Sequence, residues 1–463
     1  MVIEMRKKTV IERIIPSSLS LSFFLVGLFF FSACAPSIKH YPRINQYLLR
    51  GDYNSAYKVV QQSKDTYAER NAVLYYLDEG IISHFAGRYS ESNQSFSKAE
   101  SIMDELYTKS ISKEVASFLI SDNTVPYRGE DFERAMVNLF MALNYVGMGS
   151  WEDAVVEARK VDNKLNLINS QYEEGKKNVY NEDGFIRFLM GSLYELGEEF
   201  NDAFISYRKA QEIYRNDYSV NYGVSPPKIL IENLLTSAHA MNFHEEMEQI
   251  QKEYPGVTFI ESGKKREMAE VYFIHYNGLG PEKVEEHFLV PMPDRFVIKI
   301  AYPRFFKRGY RITHGEITLR SLASGKVYRF PTILTEDIAS IAVMNLDNRI
   351  NRIKAKAIAR ATTKYLASAA TSKAVEERHG TLAGLLTKMT ANIASVATEQ
   401  ADVRQWRLLP AEIRIGRAVV PPGEYSGKIE FVASGGFAIS IRDVVPFSIK
   451  KGEKRYFIYR TLN

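Results

Sequence analysis

Four stretches in the first half share one short pattern, which constrains the fold more than any other feature. They are LLRGDYNSAYKVV (48–60), HFAGRYSESNQSFSKA (84–99), YVGMGSWEDAVVEA (145–158) and YELGEEFNDAFISYRKA (194–210). In each, a glycine closes one helical run and an aromatic residue opens the next. Gly51, Gly87 and Gly149 stand two residues before Tyr53, Tyr89 and Trp151, and Gly197 precedes Phe200. Ala56, Ser92, Ala154 and Ala203 follow the aromatics by three residues, and Phe96, Ala158 and Tyr207 lie four further on. Gly80, Ala142 and Gly191 precede their aromatics by nine. A small residue at a crossing lets two helices approach closely. A glycine supplies the left-handed cap that turns the chain between them.

This pattern resembles the tetratricopeptide repeat (TPR) over residues 42–255. The resemblance implies a helical solenoid whose repeats bind a protein partner. The pitch departs from the ordinary repeat of about 34 residues. The aromatics are spaced by 36, 62 and 49 residues, which places insertions at about 101–130 and 162–183. A fifth, degenerate pair is expected from Ile231 to Tyr254 around Phe243, stopped by Pro255. The alternative is an irregular helical bundle without a groove. The 28 tyrosines suit either a binding groove or packing between helices.

After Pro255 the texture becomes strand-rich. REMAEVYFIHYNG (266–278) and DRFVIKIAYPRF (294–305) run apolar or alternate, and 312–334 reads as a hairpin around Ser324 and Gly325. Four more strands follow near the C-terminus, punctuated by Pro421-Pro422-Gly423 and Ser434-Gly435-Gly436. Seven or eight short strands predict a β-sandwich. The expected fold class is α+β multidomain: a TPR-like solenoid (42–255), then a β-sandwich-like module (256–463) carrying a helical-hairpin insertion (335–404).

Within that insertion, Arg349, Arg352, Lys356, Arg360 and Lys364 recur at steps of three and four, so five cations share one helical stripe. Leu346, Ile350, Ile353, Ala357, Ala361 and Tyr365 form an apolar line beside it. The cations are candidate anion-binding residues, for lipid head groups, a glycan or an acidic protein face. The alternative is a solvated face whose charges meet acidic residues of the chain itself. The second helix (380–398) is small and apolar with one lysine, Lys388, and pairs with the first through Ala, Gly and Ser.

The single cysteine, Cys34, ends an apolar run. Arg6, Lys7 and Lys8 form a basic head, Ile14 to Phe31 carries no charge, and Ser32-Ala33 leads into the cysteine. This is the pattern of a secretory signal peptide; a transmembrane anchor is the alternative, and the run is near the lower limit for one. Phe31-Ser32-Ala33-Cys34 resembles a bacterial lipobox, with Phe31 where an aliphatic residue is usual. The resemblance implies removal of 1–33, acylation of Cys34, and a short tether over 34–41. Several acyl chains anchor stably, at about 0.8 kcal/mol per buried CH₂. Ala35 in place of an aspartate points to the outer membrane rather than the inner. The mature chain then has no disulfide and no thiolate metal site. Its net charge falls from +5 to +3, which gives no field for nucleic acid.

The sequence holds no G-x-S-x-G, no P-loop and no second histidine after His244-Glu245. No catalytic residue, cofactor or metal is expected. Residues 126–165 and 402–425, taken with the lipobox, resemble a family of bacterial TPR-containing envelope lipoproteins. The resemblance implies an envelope-assembly setting, near peptidoglycan synthesis, and brings no catalytic residues. Tyr127, Arg128, Gly129 and Glu130 match it, either as a binding loop or as the cap of the following helix. The expected function is a non-catalytic scaffold on the periplasmic face of the outer membrane, with a protein partner. The alternatives are a module binding peptidoglycan glycan or anionic lipid, and an envelope hydrolase.

Overall fold

The computed structural model describes residues 38–111, 123, 125–170 and 179–462. Cys34, the expected signal peptide and the middles of both expected insertions lie outside these residues. His40 and Tyr41 are already buried, so part of the stretch expected as tether belongs to the folded body.

Ten helices form five consecutive pairs. They are α1 (Tyr41–Leu49) with α2 (Tyr53–Gln62), α3 (Ala72–Phe85) with α4 (Tyr89–Ile111), and α5 (Asp131–Met148) with α6 (Trp151–Asn169). Then come α7 (Gly184–Leu196) with α8 (Phe200–Ile213) and α9 (Lys228–Ala240) with α10 (His244–Glu253). Each helix packs on its pair-mate, and the long α4 and α6 run into the expected insertions.

The turns show why the motif recurs. Gly51, Gly87 and Gly149 are left-handed, with φ of 72°, 72° and 74°. After each, the next amide N–H donates to a carbonyl five residues back, as in Arg88 to Ser83 and Ser150 to Tyr145. This bond satisfies helix-end carbonyls that otherwise lack partners. In the fourth pair the left-handed residue is Glu198 (φ 59°) and in the fifth Asn242 (φ 57°), with the same bonds from Glu199 to Tyr194 and Phe243 to Ala238. Gly197 is therefore not the cap. It makes room for Trp151, whose ring would lie 2.9 Å from a Cβ there. The crossings also need their small residues. A Cβ on Gly80 would stand 2.5 Å from the Phe96 ring, and one on Gly191 would stand 2.5 Å from Tyr207.

Ten strands follow: β1 (Ala269–Asn277), β2 (Glu282–Pro291), β3 (Val297–Phe306), β4 (Ile312–Ser321), β5 (Val327–Pro331), β6 (Ile333–Glu336), β7 (Glu412–Val420), β8 (Gly423–Ala433), β9 (Ala438–Ile449) and β10 (Lys454–Thr461). One sheet runs β10-β1-β7-β6, a second runs β5-β4-β8-β9, and β2-β3 is a separate ribbon. Strand β1 pairs parallel with β10 and antiparallel with β7, and all nine of its residues are buried. Alternation explains this. Val271 and Phe273 meet Ile317, Leu319, Ile429 and Phe431 of the second sheet. Tyr272, Ile274 and Tyr276 join the core of the helical repeats. The first sheet is thus a middle layer, with helices on one face and the second sheet on the other.

The insertion is a helical hairpin of α11 (Ile338–His379) and α12 (Thr381–Thr398). At 1.5 Å per residue, α11 is roughly 60 Å long. The β2-β3 ribbon braces it: Phe296, Ile298 and Ile300 pack on Ala357 and Ala361, and Tyr365 adds an aromatic contact. We call the hairpin and ribbon together the arm.

Candidate partner-binding surfaces

The inner face of the repeats, lined by the first helix of each pair, is filled by the chain itself. His84 of α3 joins Asn144 of α5 at 2.6 Å and Tyr276 of β1 at 2.9 Å. The extended segment 402–409 lies along α4 and α5. Trp406 packs edge-on against Phe96 and Phe140, and its amide donates to Glu133 Oε1 at 2.6 Å. Arg404 donates to the Val125 carbonyl at 2.8 Å and lies over the Tyr127 ring. Tyr214 and Tyr218, just after α8, bond to Thr335 and Glu336 at the β6 edge.

Farther along, a buried ionic network joins α7 and α9 to the middle sheet. Lys454 of β10 sits 2.5 Å from Glu195 of α7 and 3.1 Å from Glu270 of β1. Lys265 reaches the same two carboxylates at 3.0 and 3.4 Å. Arg417 of β7 meets Glu270 at 3.2 Å and also pairs with Glu232 and Asn233 of α9. Three cations therefore face three carboxylates. Burial alone would raise the Glu195 and Glu270 carboxyls, but Lys265 and Lys454 outweigh it and hold both below the usual range. Burial opposes the charge on Lys454, and Glu195 and Glu270 more than restore it.

Within Tyr127 to Glu130, Tyr127 is buried with its hydroxyl donating to Glu133. Glu130 caps α5 and forms a reciprocal capping box with Glu133. The Glu130 carboxylate also pairs with Lys283 of β2 and Arg349 of α11, tying the arm to the repeats. Burial raises this carboxyl, and Lys283 and Arg349 then carry it well below its ordinary value. Glu133, buried and next to Glu130, is pushed up to about 7.

The stripe cations are engaged by groups of the chain itself, and Arg352 among them is exposed. Arg349 pairs with Glu130 and, at 3.5 Å, with Asp131. Arg360 is 4% exposed and grips Glu399, with Nε 2.9 Å from Oε1. Lys364 meets the same carboxylate at 2.7 Å. Arg352 and Lys356 are engaged as well. The physical reason is that like charges repel along a helix, and here acids distant in sequence relieve that repulsion.

Of the repeat-signature residues, Ala56, Ala154 and Ala203 are fully buried at helix crossings, and Gly51, Gly87 and Gly149 are the caps. Tyr53, Tyr89 and Trp151 cover the next pair, as Tyr53 meets Phe85 and a Cβ on Gly147 would strike Tyr89, whereas Phe200 lies under Arg266.

Among the described residues, two of the faces that stay open lie on the repeats and on the hairpin. On the outer face, Val156 of α6 and Ile205 of α8 occupy equivalent positions, five residues after Trp151 and Phe200, and are 51% and 52% exposed. Ile205 lines a cleft of about 320 Å³ with Arg159, Asp162 and Arg187 among others, and a second cleft of about 540 Å³ is lined by Glu100, Asp104, Arg134 and Lys164 among others. The second open face is on the arm. Among the described residues, no group of three or more His, Cys, Asp or Glu side chains is placed to hold a metal, and no helix is long and apolar enough to cross a membrane.

No family model and no curated relative matches the chain. Solved structures that resemble it include MamA (13% identity, TM-score 0.28), covering 45% of this chain and 90% of that one. BtubC from P. vanneervenii (14%, TM-score 0.32) covers 45% and 74%, and a Podosopora anserina kinesin light chain with nearly identical TPR-like repeats (11%, TM-score 0.30) covers 46% and 91%. Likeness at this level carries no argument. The TPR-like character of the helical half rests on its own caps and crossings.

Proposed function

We propose that this chain is a lipid-anchored, non-catalytic protein-binding scaffold of the bacterial cell envelope, held through Cys34 at the periplasmic face of the outer membrane. The lipobox-like FSAC and the family resemblance of 126–165 and 402–425 support the setting. The observation that carries the scaffold reading is the filled inner face. A TPR-like array normally offers that face to a peptide. Here the chain's own sheet and the 402–409 segment occupy it, and the buried ionic network makes helices and sheet one body. Partner recognition then belongs to the outer face of α6 and α8, where Val156 and Ile205 stand exposed and Ile205 lines a polar cleft.

Two experiments test this. Cys34→Ser should move the protein from the membrane fraction to the soluble fraction after cell lysis; retention would remove the lipid anchor from the reading. A photo-crosslinking residue at Val156 or Ile205, in living cells, should capture one discrete envelope protein. Capture of glycan or lipid alone would overturn the protein scaffold.

A further inference from the structure

The arm carries a surface that the scaffold reading does not use. Helix α12 is inside out. Its small and polar residues Gly384, Thr387, Ala391 and Ser395 are turned inward, and Gly384 is so close to α11 that an added Cβ would lie 2.6 Å from the Glu376 Cβ. Its large apolar residues face solvent: Leu382 at 71%, Leu386 at 54%, Met389 at 54% and Ile393 at 67%. An ordinary surface helix does the reverse. The steps between these residues are four, three and four, and Val396, partly buried, continues the row at three. That is the 3.5-residue period of a coiled-coil seam. Leu385, 53% exposed, widens the stripe. On α11, Ala359, Thr362, Leu366 and Ala370 are exposed at steps of three and four. A contiguous apolar face of this size marks an interaction site.

The charges say what covers it. From Tyr365 to Ser372 and from Thr381 to Thr398 there is one charged residue, Lys388, and it is held by Asp294 at 3.0 Å. A membrane-surface helix carries lysine and arginine along its polar face for the head groups. Helix α12 has none to spare, and at the hairpin tip Lys373 and Arg378 balance Glu376 and Glu377. A partner of one charge sign would find no net charge to pair with along this face. A face without charge is compatible with its own copy, and a two-fold interface requires self-complementarity. We propose that two copies of the chain pair through their arms, the α11–α12 hairpins forming a four-helix bundle with Leu382, Leu386, Met389 and Ile393 in its seam.

The test uses the full chain with Cys34→Ser, in detergent, at micromolar concentration. Sedimentation equilibrium should give twice the monomer mass. Leu386→Glu with Met389→Glu should return it to the monomer with an unchanged circular dichroism spectrum, because both side chains are solvent-exposed within one copy. Single cysteines at Leu386, Met389 or Ile393 should yield a disulfide-linked dimer under mild oxidation, while Val220→Cys on the body, 76% exposed, should not. Three results would overturn the proposal: a monomer at every concentration, a dimer that survives both glutamates, or binding to neutral phosphatidylcholine vesicles that the glutamates abolish while the mass stays monomeric. None of these depends on the outer-face partner, so the two readings fail separately.

Discussion

Replacing Lys454 by methionine tests whether the helical repeats and the β layers are one body. Lys454 contacts Glu195 at 2.5 Å and Glu270 at 3.1 Å, and the three side chains are 5%, 7% and 6% exposed. Unit charges about 3 Å apart at an effective dielectric of about 20 attract by about 5 kcal/mol per pair, and burial of the ammonium offsets much of that. What remains after the substitution is a network of two cations and three carboxylates. Breaking a buried pair by removing one partner costs about 3–5 kcal/mol. Lys454→Met should therefore lose about that much in urea unfolding followed by far-ultraviolet circular dichroism. The pH dependence has a definite sign. With lysine present, Glu195 and Glu270 are held below their unfolded values, so their contribution is present above the unfolded pKa of about 4.5 and is lost as pH falls. Without it, burial raises the freed carboxyl, and the variant should lose more stability at pH 8 than at pH 5. Adding Glu195→Gln restores the charge balance and should recover at least half of the loss, a coupling of about 2 kcal/mol or more. Trp406 lies at the helix–sheet interface, so its fluorescence should change in the same transition as the helical signal. A single-mutant cost under about 1 kcal/mol, simple additivity in the double mutant, or two separated transitions would refute the reasoning.

The buried inner face also titrates. Burial pushes the His84 imidazole down to about 4, so between pH 6.5 and 4 the folded state binds fewer protons than the unfolded one. Stability in that window falls with falling pH by up to about 3 kcal/mol, and His84→Gln should flatten the slope in pH-dependent melts. Asp78 has the opposite sign. Burial raises it to about 7 against the hydrogen bonds from Tyr41 and Tyr67, so its effect is most favourable below its unfolded value and is lost as pH rises to 7, and Asp78→Asn should flatten that limb. At the fourth turn, Glu198→Gly should raise stability by about 1 kcal/mol by relieving a left-handed glutamate, whereas Gly149→Ala should lower it by a similar amount. A loss of stability with Glu198→Gly, or a gain with Gly149→Ala, in thermal melts would refute the cap assignment.

The half of the fold that depends on neighbours in sequence was readable from sequence, and the half that depends on distant neighbours was not. Caps, crossings and covering aromatics sit within about 16 residues of one another, so their spacing carries their geometry. The fourth cap escaped because Gly197 stands beside Glu198, and only the backbone angles show which is left-handed. Strand β2 was missed because EKVEEHFLVP is charged over its first half, as a solvated ribbon strand can be. The parallel pairing of β1 with β10 joins residues such as Ile274 and Ile458, and no local signal announces it. The partners of the cationic stripe are hidden from the sequence for the same reason. Arg349 and Arg360 make a conspicuous stripe, while their partners Glu130 and Glu399 are 219 and 39 residues away. A repeat motif describes a groove without saying what fills it. The DVRQW stretch was noticed as a family signature, but not as the strand of chain that lies there. The arm has the reverse lesson. Its small residues were read as the inward packing they are, and this leaves Leu382, Leu386, Met389 and Ile393 with nowhere to go but outward. A sequence that spends its alanines and glycines inside a hairpin and its leucines outside is written for a surface larger than one chain.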